Sequence, residues 1–105
     1  MPRGDIVRLT PVKTSGREQR GPRFGVILQS DSLAPLSTVI VAPTSQSAIQ
    51  TQFRPLITIG GDATKVLVEQ LGTLDARRAS ERVGQVSAEE MWAIDDALTL
   101  VVGLH

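Results

Sequence analysis

Apolar positions alternate with polar ones in short runs along most of the chain, and only at its end do they recur at helical spacing. Asp5-Ile6-Val7-Arg8-Leu9 reads as a strand that stops at Thr10-Pro11, because proline holds its predecessor extended and cannot donate to a ladder. Phe24 to Gln29 resumes strand character, and Asp31 to Pro35 interrupts it. Thr38-Val39-Ile40-Val41-Ala42 is the most β-branched run, so it predicts a central strand. Pro43 is expected to end that strand and leave Thr44-Ser45-Gln46-Ser47 in a loop. Gln52 to Ile59 predicts a strand that Pro55 confines to a sheet edge or a bulge, and Gly60-Gly61-Asp62 predicts a turn. Lys65 to Leu71 predicts another strand, Leu74 to Ala79 a helical turn, and Arg82 to Val86 extended chain.

The helix signal is the clearest. Ser87 with Glu90 three residues on forms a capping box, Met91, Ile94, Leu98 and Val101 repeat on one face, and Gly103 stops the run. Trp92, Asp95, Asp96 and Thr99 fall off that stripe, which predicts an exposed face. Short strands, turn signals and one terminal amphipathic helix predict a mainly β fold, a curled antiparallel sheet or small β-barrel with a C-terminal α-helix on it. At 105 residues the expectation is a single domain, 1–105.

Composition narrows the chemistry. With 41% hydrophobic and 21% charged residues the chain reads as globular, and the lack of cysteine excludes disulfides, thiolate metal sites and a cysteine nucleophile. A reducing, cytoplasmic location is expected, without a membrane partner, since no apolar run approaches the roughly 18 residues of a span. The only histidine is His105, the last residue, which argues against a serine–histidine–aspartate triad and a histidine metal site. Glu89-Glu90 and Asp95-Asp96 point in different directions on a helix, so no metal and no cofactor is expected. The net charge of +0 conceals an asymmetry. Arg3, Arg8, Lys13, Arg17, Arg20 and Arg23 precede residue 24 against only Asp5 and Glu18, while Glu89, Glu90, Asp95 and Asp96 crowd the end.

Two loops stand out: the basic stretch Lys13 to Pro22 leading into Arg23, and the hydroxyl-rich Thr44 to Ser47. If they share a rim, the guanidinium fork of an arginine and a threonine hydroxyl suit phosphoryl chemistry; the alternative is a structural ion pair and a turn-stabilising threonine.

The ordered blocks Arg3-Gly4-Asp5-Ile6, Glu18-Gln19-Arg20-Gly21-Pro22-Arg23, Val41-Ala42-Pro43-Thr44-Ser45-Gln46, Val68-Glu69-Gln70, Thr73-Leu74-Asp75 and Val83-Gly84 resemble those of the MazF/PemK toxin family over nearly the whole chain. That resemblance implies an SH3-like β-barrel, a homodimer, and the toxin of a type II toxin–antitoxin pair that cuts single-stranded messenger RNA without metal. The ribose 2′-hydroxyl would attack its own phosphate, leaving a cyclic phosphate and a 5′-hydroxyl. The cognate antitoxin would be acidic and partly disordered. Arg23 and Thr44 take the positions of the catalytic arginine and threonine, Glu18 that of a loop glutamate and spare base, and Glu69 an acidic position. Lys13, Arg17 and Arg20 would hold flanking phosphates, and Gln19, Ser45, Gln46 and Gln70 would line the RNA path. Three residues depart from the pattern. Phe24 replaces a proline and offers a ring for stacking, Leu67 stands where some relatives have arginine, and Pro22 where some have histidine. A different reading is a non-catalytic SH3-like module that binds nucleic acid or protein, since fold does not dictate function.

Overall fold

A computed structural model describes residues 2–10, 23–33, 36–79 and 81–104. Seven strands form one curled antiparallel sheet: β1 (Asp5–Leu9), β2 (Arg23–Ile27), β3 (Thr38–Ser45), β4 (Leu56–Ile59), β5 (Asp62–Val66), β6 (Gly72–Asp75) and β7 (Glu81–Gln85). A single α-helix, α1 (Ala88–Val102), follows them among the described residues. The order across the sheet is β4-β5-β3-β2-β1-β7, with β6 also paired to β3. This is the mainly β, curled antiparallel sheet with a C-terminal helix that the sequence pattern predicts, and it agrees with the SH3-like barrel that the family resemblance implies.

Strand alternation builds two apolar layers. Ile6, Val26, Leu28, Ala42 and Val66 point to one face, where Ile94 and Ala97 of α1 cover them, while Val7, Ile27, Val39 and Val41 point to the other, over Ala79. Both layers are dry: Val7, Val26, Ile27, Val66 and Ile94 are fully buried. At roughly 1.5–3 kcal/mol for each large apolar side chain removed from water, these are the main source of stability.

The helix begins as expected. Ser87 Oγ accepts from the Glu90 amide at 3.1 Å and Glu90 Oε1 accepts from the Ser87 amide at 2.8 Å, and Gly103 ends the helix with φ of 75°. Two contacts fasten it. Glu90 Oε2 accepts from the Thr58 amide of β4 at 2.9 Å, and Arg3 Nη2 lies 2.7 Å from Asp95 Oδ1. Ile94 is buried, Met91, Leu98 and Val101 pack against the core, and Trp92 is 68% exposed. The β4–β5 hairpin turns on Gly60 and Gly61, whose φ values of 57° and 90° require residues without a Cβ. β4 is an edge strand, in line with the expectation for Pro55, but it starts only at Leu56: Gln52 and Phe53 form a turn closed by the Arg54 amide on the Thr51 carbonyl at 3.1 Å, so the strand expected from Gln52 is shorter.

Three further expectations need correction. Pro43 does not end β3, which continues through Thr44 and Ser45 to pair with Val66 and Lys65 of β5. Facing Gly25, its backbone turns away from β2, so its missing N–H costs no bond on that side. The run from Lys65 to Leu71 is not one strand: β5 ends at Val66, and Val68–Gln70 makes a 3-10 turn closed by the Gln70 amide on the Leu67 carbonyl at 2.9 Å. Gly72–Asp75 is a strand rather than part of a helical turn, because the free edge of Thr38–Val41 offers it a ladder; helical backbone begins only at Ala76. No helix among the described residues is long and apolar enough to cross a membrane.

Candidate functional site

The antiparallel β2–β3 pair brings two of the expected residues together. Gly25 faces Pro43, so one step further Phe24 faces Thr44, and the Thr44 hydroxyl donates to the Phe24 carbonyl at 3.1 Å. Arg23, half-buried, precedes Phe24 at the start of β2. Arg23 and Thr44 are therefore diagonal neighbours on strands about 4.8 Å apart, at one end of the sheet. Alternation separates their faces. Thr44 shares a face with Phe24 and Val66, and Arg23 with Leu9, Ser45 and Lys65, so a group bound by both would straddle the end of the sheet.

The row through Thr44 runs across five strands, from β7 to β5. Glu81 of β7 pairs with Arg8 of β1, Arg8 with Phe24, Phe24 faces Thr44, and Thr44 pairs with Val66. Arg8 Nε donates to Glu81 Oε2 at 3.1 Å while its guanidinium carbon lies 5.4 Å from the Phe24 ring centroid. Phe24 is half-buried against the helix-side core, and the Arg8 guanidinium lies over its ring. Beyond Val66, whose amide donates to the Pro55 carbonyl, Arg54 binds Glu69 through Nη2 at 2.6 Å and Nε at 2.9 Å, and its guanidinium carbon sits 5.6 Å from the Phe53 centroid. The Arg54 hydrogen bond holds the Glu69 carboxyl below the usual glutamate range, against the opposing effect of burial, and Glu69 in turn raises Arg54.

Ser45 lies on the opposite face of β3 from Thr44, and Gln46 follows just beyond the strand. Ser45 Oγ accepts from the Ala48 amide at 3.1 Å, and Lys65 Nζ donates to the Gln46 carbonyl. Gln70 closes the 3-10 turn that carries Glu69. Lys13, Arg17, Glu18, Gln19, Arg20 and Pro22 lie outside the described residues, as does His105. Among the described residues, no three histidine, cysteine, aspartate or glutamate side chains converge as metal ligands. Arg8, Arg54 and Lys65 enter the site without a motif to announce them. Their cationic charge was the only signal, since register decides which cations of a strand reach its end.

The arrangement offers fixed cations, a hydroxyl and an ionised carboxylate along the end of a rigid sheet, a set suited to holding and polarising phosphate oxygens. Comparison with known proteins bears on the family and the fold. Residues 2–102 match the family model described as the PemK-like, MazF-like toxin of type II toxin–antitoxin systems. A Mycobacterium tuberculosis protein assigned as a toxin, Rv3098A, is 34% identical over 90 residues, which cover 85% of this chain and 84% of that one. Two solved structures share the fold. A mycobacterial endoribonuclease in complex with its cognate antitoxin has a TM-score of 0.81 at 17% identity, covering 100% of this chain and 97% of its own. A MazE–MazF complex of Deinococcus radiodurans has a TM-score of 0.82 at 20% identity, with the same coverages of 100% and 97%.

Proposed function

The chain belongs to the PemK-like, MazF-like family of type II toxin–antitoxin toxins, and from that premise we propose that it is an endoribonuclease that cuts single-stranded messenger RNA at the end of its curled sheet. The observation that carries this reading is the adjacency of Arg23 and Thr44 across β2 and β3, in a chain matched by the family over residues 2–102. The ribose 2′-oxygen attacks the neighbouring phosphorus, the bond to the 5′-oxygen breaks, and the products are a 2′,3′-cyclic phosphate and a 5′-hydroxyl end. Arg23 stabilises the charge of the phosphorane and Thr44 orients the scissile phosphate. Glu18 takes the 2′-hydroxyl proton and the leaving 5′-oxygen takes one from water, while Lys13, Arg17 and Arg20 hold flanking phosphates and Gln19, Gln46, Ser45 and Gln70 contact bases and riboses. The reaction uses no metal and spares DNA, which lacks the attacking hydroxyl.

The protein acts in the cytoplasm as a homodimer, since a small sheet with exposed edges gains by covering one with its twin. Its antitoxin is an acidic, partly disordered segment that competes with RNA for the cationic residues before position 24. One experiment tests the core of the reading: incubation with a long RNA in excess EDTA, with product ends mapped. Cleavage to 5′-hydroxyl ends is expected, and cleavage that appears only when magnesium is restored would refute the mechanism.

A further inference from the structure

Arg8 carries a geometry that the proposed chemistry does not use. Its guanidinium is bonded at one edge to Glu81 and lies over the ring of Phe24, on the same face of the sheet as the Thr44 hydroxyl. As an ion pair this is worth little: the Arg8 side chain is 45% exposed and that of Glu81 61%, so water screens both charges. What the contacts do achieve is orientation. A flexible, exposed cationic side chain is oriented by a carboxylate on one neighbouring strand and an aromatic ring on the other.

We propose that Arg8, floored by Phe24 and braced by Glu81, is a nucleobase-stacking platform that seats the unpaired base next to the phosphate bound at Arg23 and Thr44. The inference rests on the ribonuclease reading and names a subsite within it. A delocalised guanidinium stacks on a base of any identity while its charge attracts the RNA backbone, which an aromatic ring alone cannot do. Position supports the assignment. Phe24 is the single strand position between Arg8 and Thr44, so their backbones lie about 10 Å apart, two strand spacings, within the span of one splayed nucleotide. Phe24 itself, half-buried, acts through Arg8 rather than as an open ring.

The test measures single-turnover cleavage in EDTA on short RNAs that contain a mapped cleavage site, each with one base replaced by an abasic ribose. In the wild-type protein, one abasic position beside the scissile phosphate should raise the half-saturating protein concentration about 5- to 150-fold, the range for losing one stacked base. In Arg8→Ala the unmodified RNA should show a rise of that size, the abasic penalty at that position should vanish, and the maximal rate should stay within about threefold, as expected for lost binding that is equal in ground and transition states. Arg8→Lys keeps the charge without the plane, so it should restore salt-dependent attraction and not the penalty. Glu81→Gln removes the ion pair and leaves the ring contact, so it should keep the penalty, and thermal melts establish that each variant is folded.

A wild-type protein that cuts RNA, with an Arg8→Ala variant that retains the full abasic penalty, overturns the platform and leaves the ribonuclease reading standing. Glu81→Gln, whose amide oxygen can still accept from Arg8 Nε, overturns it if the penalty vanishes there, since that ties the effect to the charge of the pair rather than to the stacked plane. A wild-type protein that neither cuts nor binds single-stranded RNA overturns both.

Discussion

Replacing Thr44 by valine separates the structural work of its hydroxyl from its chemical work. Valine keeps the β-branched shape that suits β3 and removes only the oxygen, which donates to the Phe24 carbonyl at 3.1 Å. Losing that bond costs about 1 kcal/mol, which lowers the melting temperature by roughly 4–8 °C in a domain of this size. A typical domain has about 5–15 kcal/mol in hand, so the variant remains folded. The chemical loss should be larger. A single donor aimed at a developing oxyanion contributes about 2.7–4 kcal/mol, but this hydroxyl must first give up its bond to Phe24 at about 1 kcal/mol. The difference, about 2 kcal/mol, predicts a roughly thirtyfold slower single-turnover cleavage for Thr44→Val. Thr44→Ser retains the oxygen and should recover to within about threefold of wild type. Melting curves and cleavage rates on the same preparations check both halves. A folded Thr44→Val that cuts as fast as wild type would refute the placement of Thr44 at the phosphate and leave it only its role as a cross-strand bond.

Arg23→Ala should slow cleavage about a hundredfold or more, as for loss of a principal transition-state donor, in a protein that still melts cooperatively. The Arg54–Glu69 pair predicts acid sensitivity. Because Arg54 holds the Glu69 carboxyl below its unfolded value of about 4.3, the pair's contribution is complete above that pH and fades as pH falls through the lowered folded value. The stability gap between wild type and Arg54→Met should therefore narrow from pH 6 to pH 3 in denaturant titrations, and a constant gap would deny the coupling. Ser87→Ala removes one arm of the capping box and should cost about 1 kcal/mol, read from a shift in the denaturant midpoint. Sedimentation at micromolar concentration should give a dimer mass, and an active monomer would contradict the assembly.

The two ends of the chain were the most legible because their signals are local. The alternation of Asp5–Leu9 and the capping box and stop of the helix, Ser87, Glu90 and Gly103, can be read from adjacent residues, although β1 itself is completed by pairing with β2 and β7. β6 was hidden because Gly72–Asp75 has no strand pattern of its own and becomes a strand by docking against Thr38–Val41. At the site, the basic and hydroxyl-rich loops brought out Arg23 and Thr44 and suggested a shared rim, and the family resemblance supplied their roles. Their placement on opposite faces, and the seating of Arg8 over Phe24, follow from a register in which Gly25 meets Pro43 and Arg8 meets Phe24. A slip of one residue would exchange every face, and nothing local to Arg8 specifies that register.

Pro43 is the residue at which a local rule fails for a reason that can be tested. Opposite Leu67 it forms half of a ladder pair: the Leu67 amide donates to the Pro43 carbonyl at 2.8 Å, and the return bond is missing because proline has no N–H. The Leu67 carbonyl, released from the ladder, accepts instead from Gln70 at 2.9 Å and closes the 3-10 turn that carries Glu69 to Arg54. The proline thus ends not its own strand but its partner's. Pro43→Ala supplies the missing donor, and the new amide competes with Gln70 for one carbonyl. Since a backbone hydrogen bond is worth about 1 kcal/mol net, hydrogen exchange of the Gln70 amide should quicken by about fivefold while the amide of residue 43 becomes protected. Glu69, less firmly presented, should then lose part of its coupling to Arg54, seen as a smaller stability gap between Pro43→Ala and the Pro43→Ala, Arg54→Met double variant than between wild type and Arg54→Met. Unchanged exchange at Gln70 beside a protected amide at 43 would show that the Leu67 carbonyl serves both donors, and that the turn owes nothing to the proline.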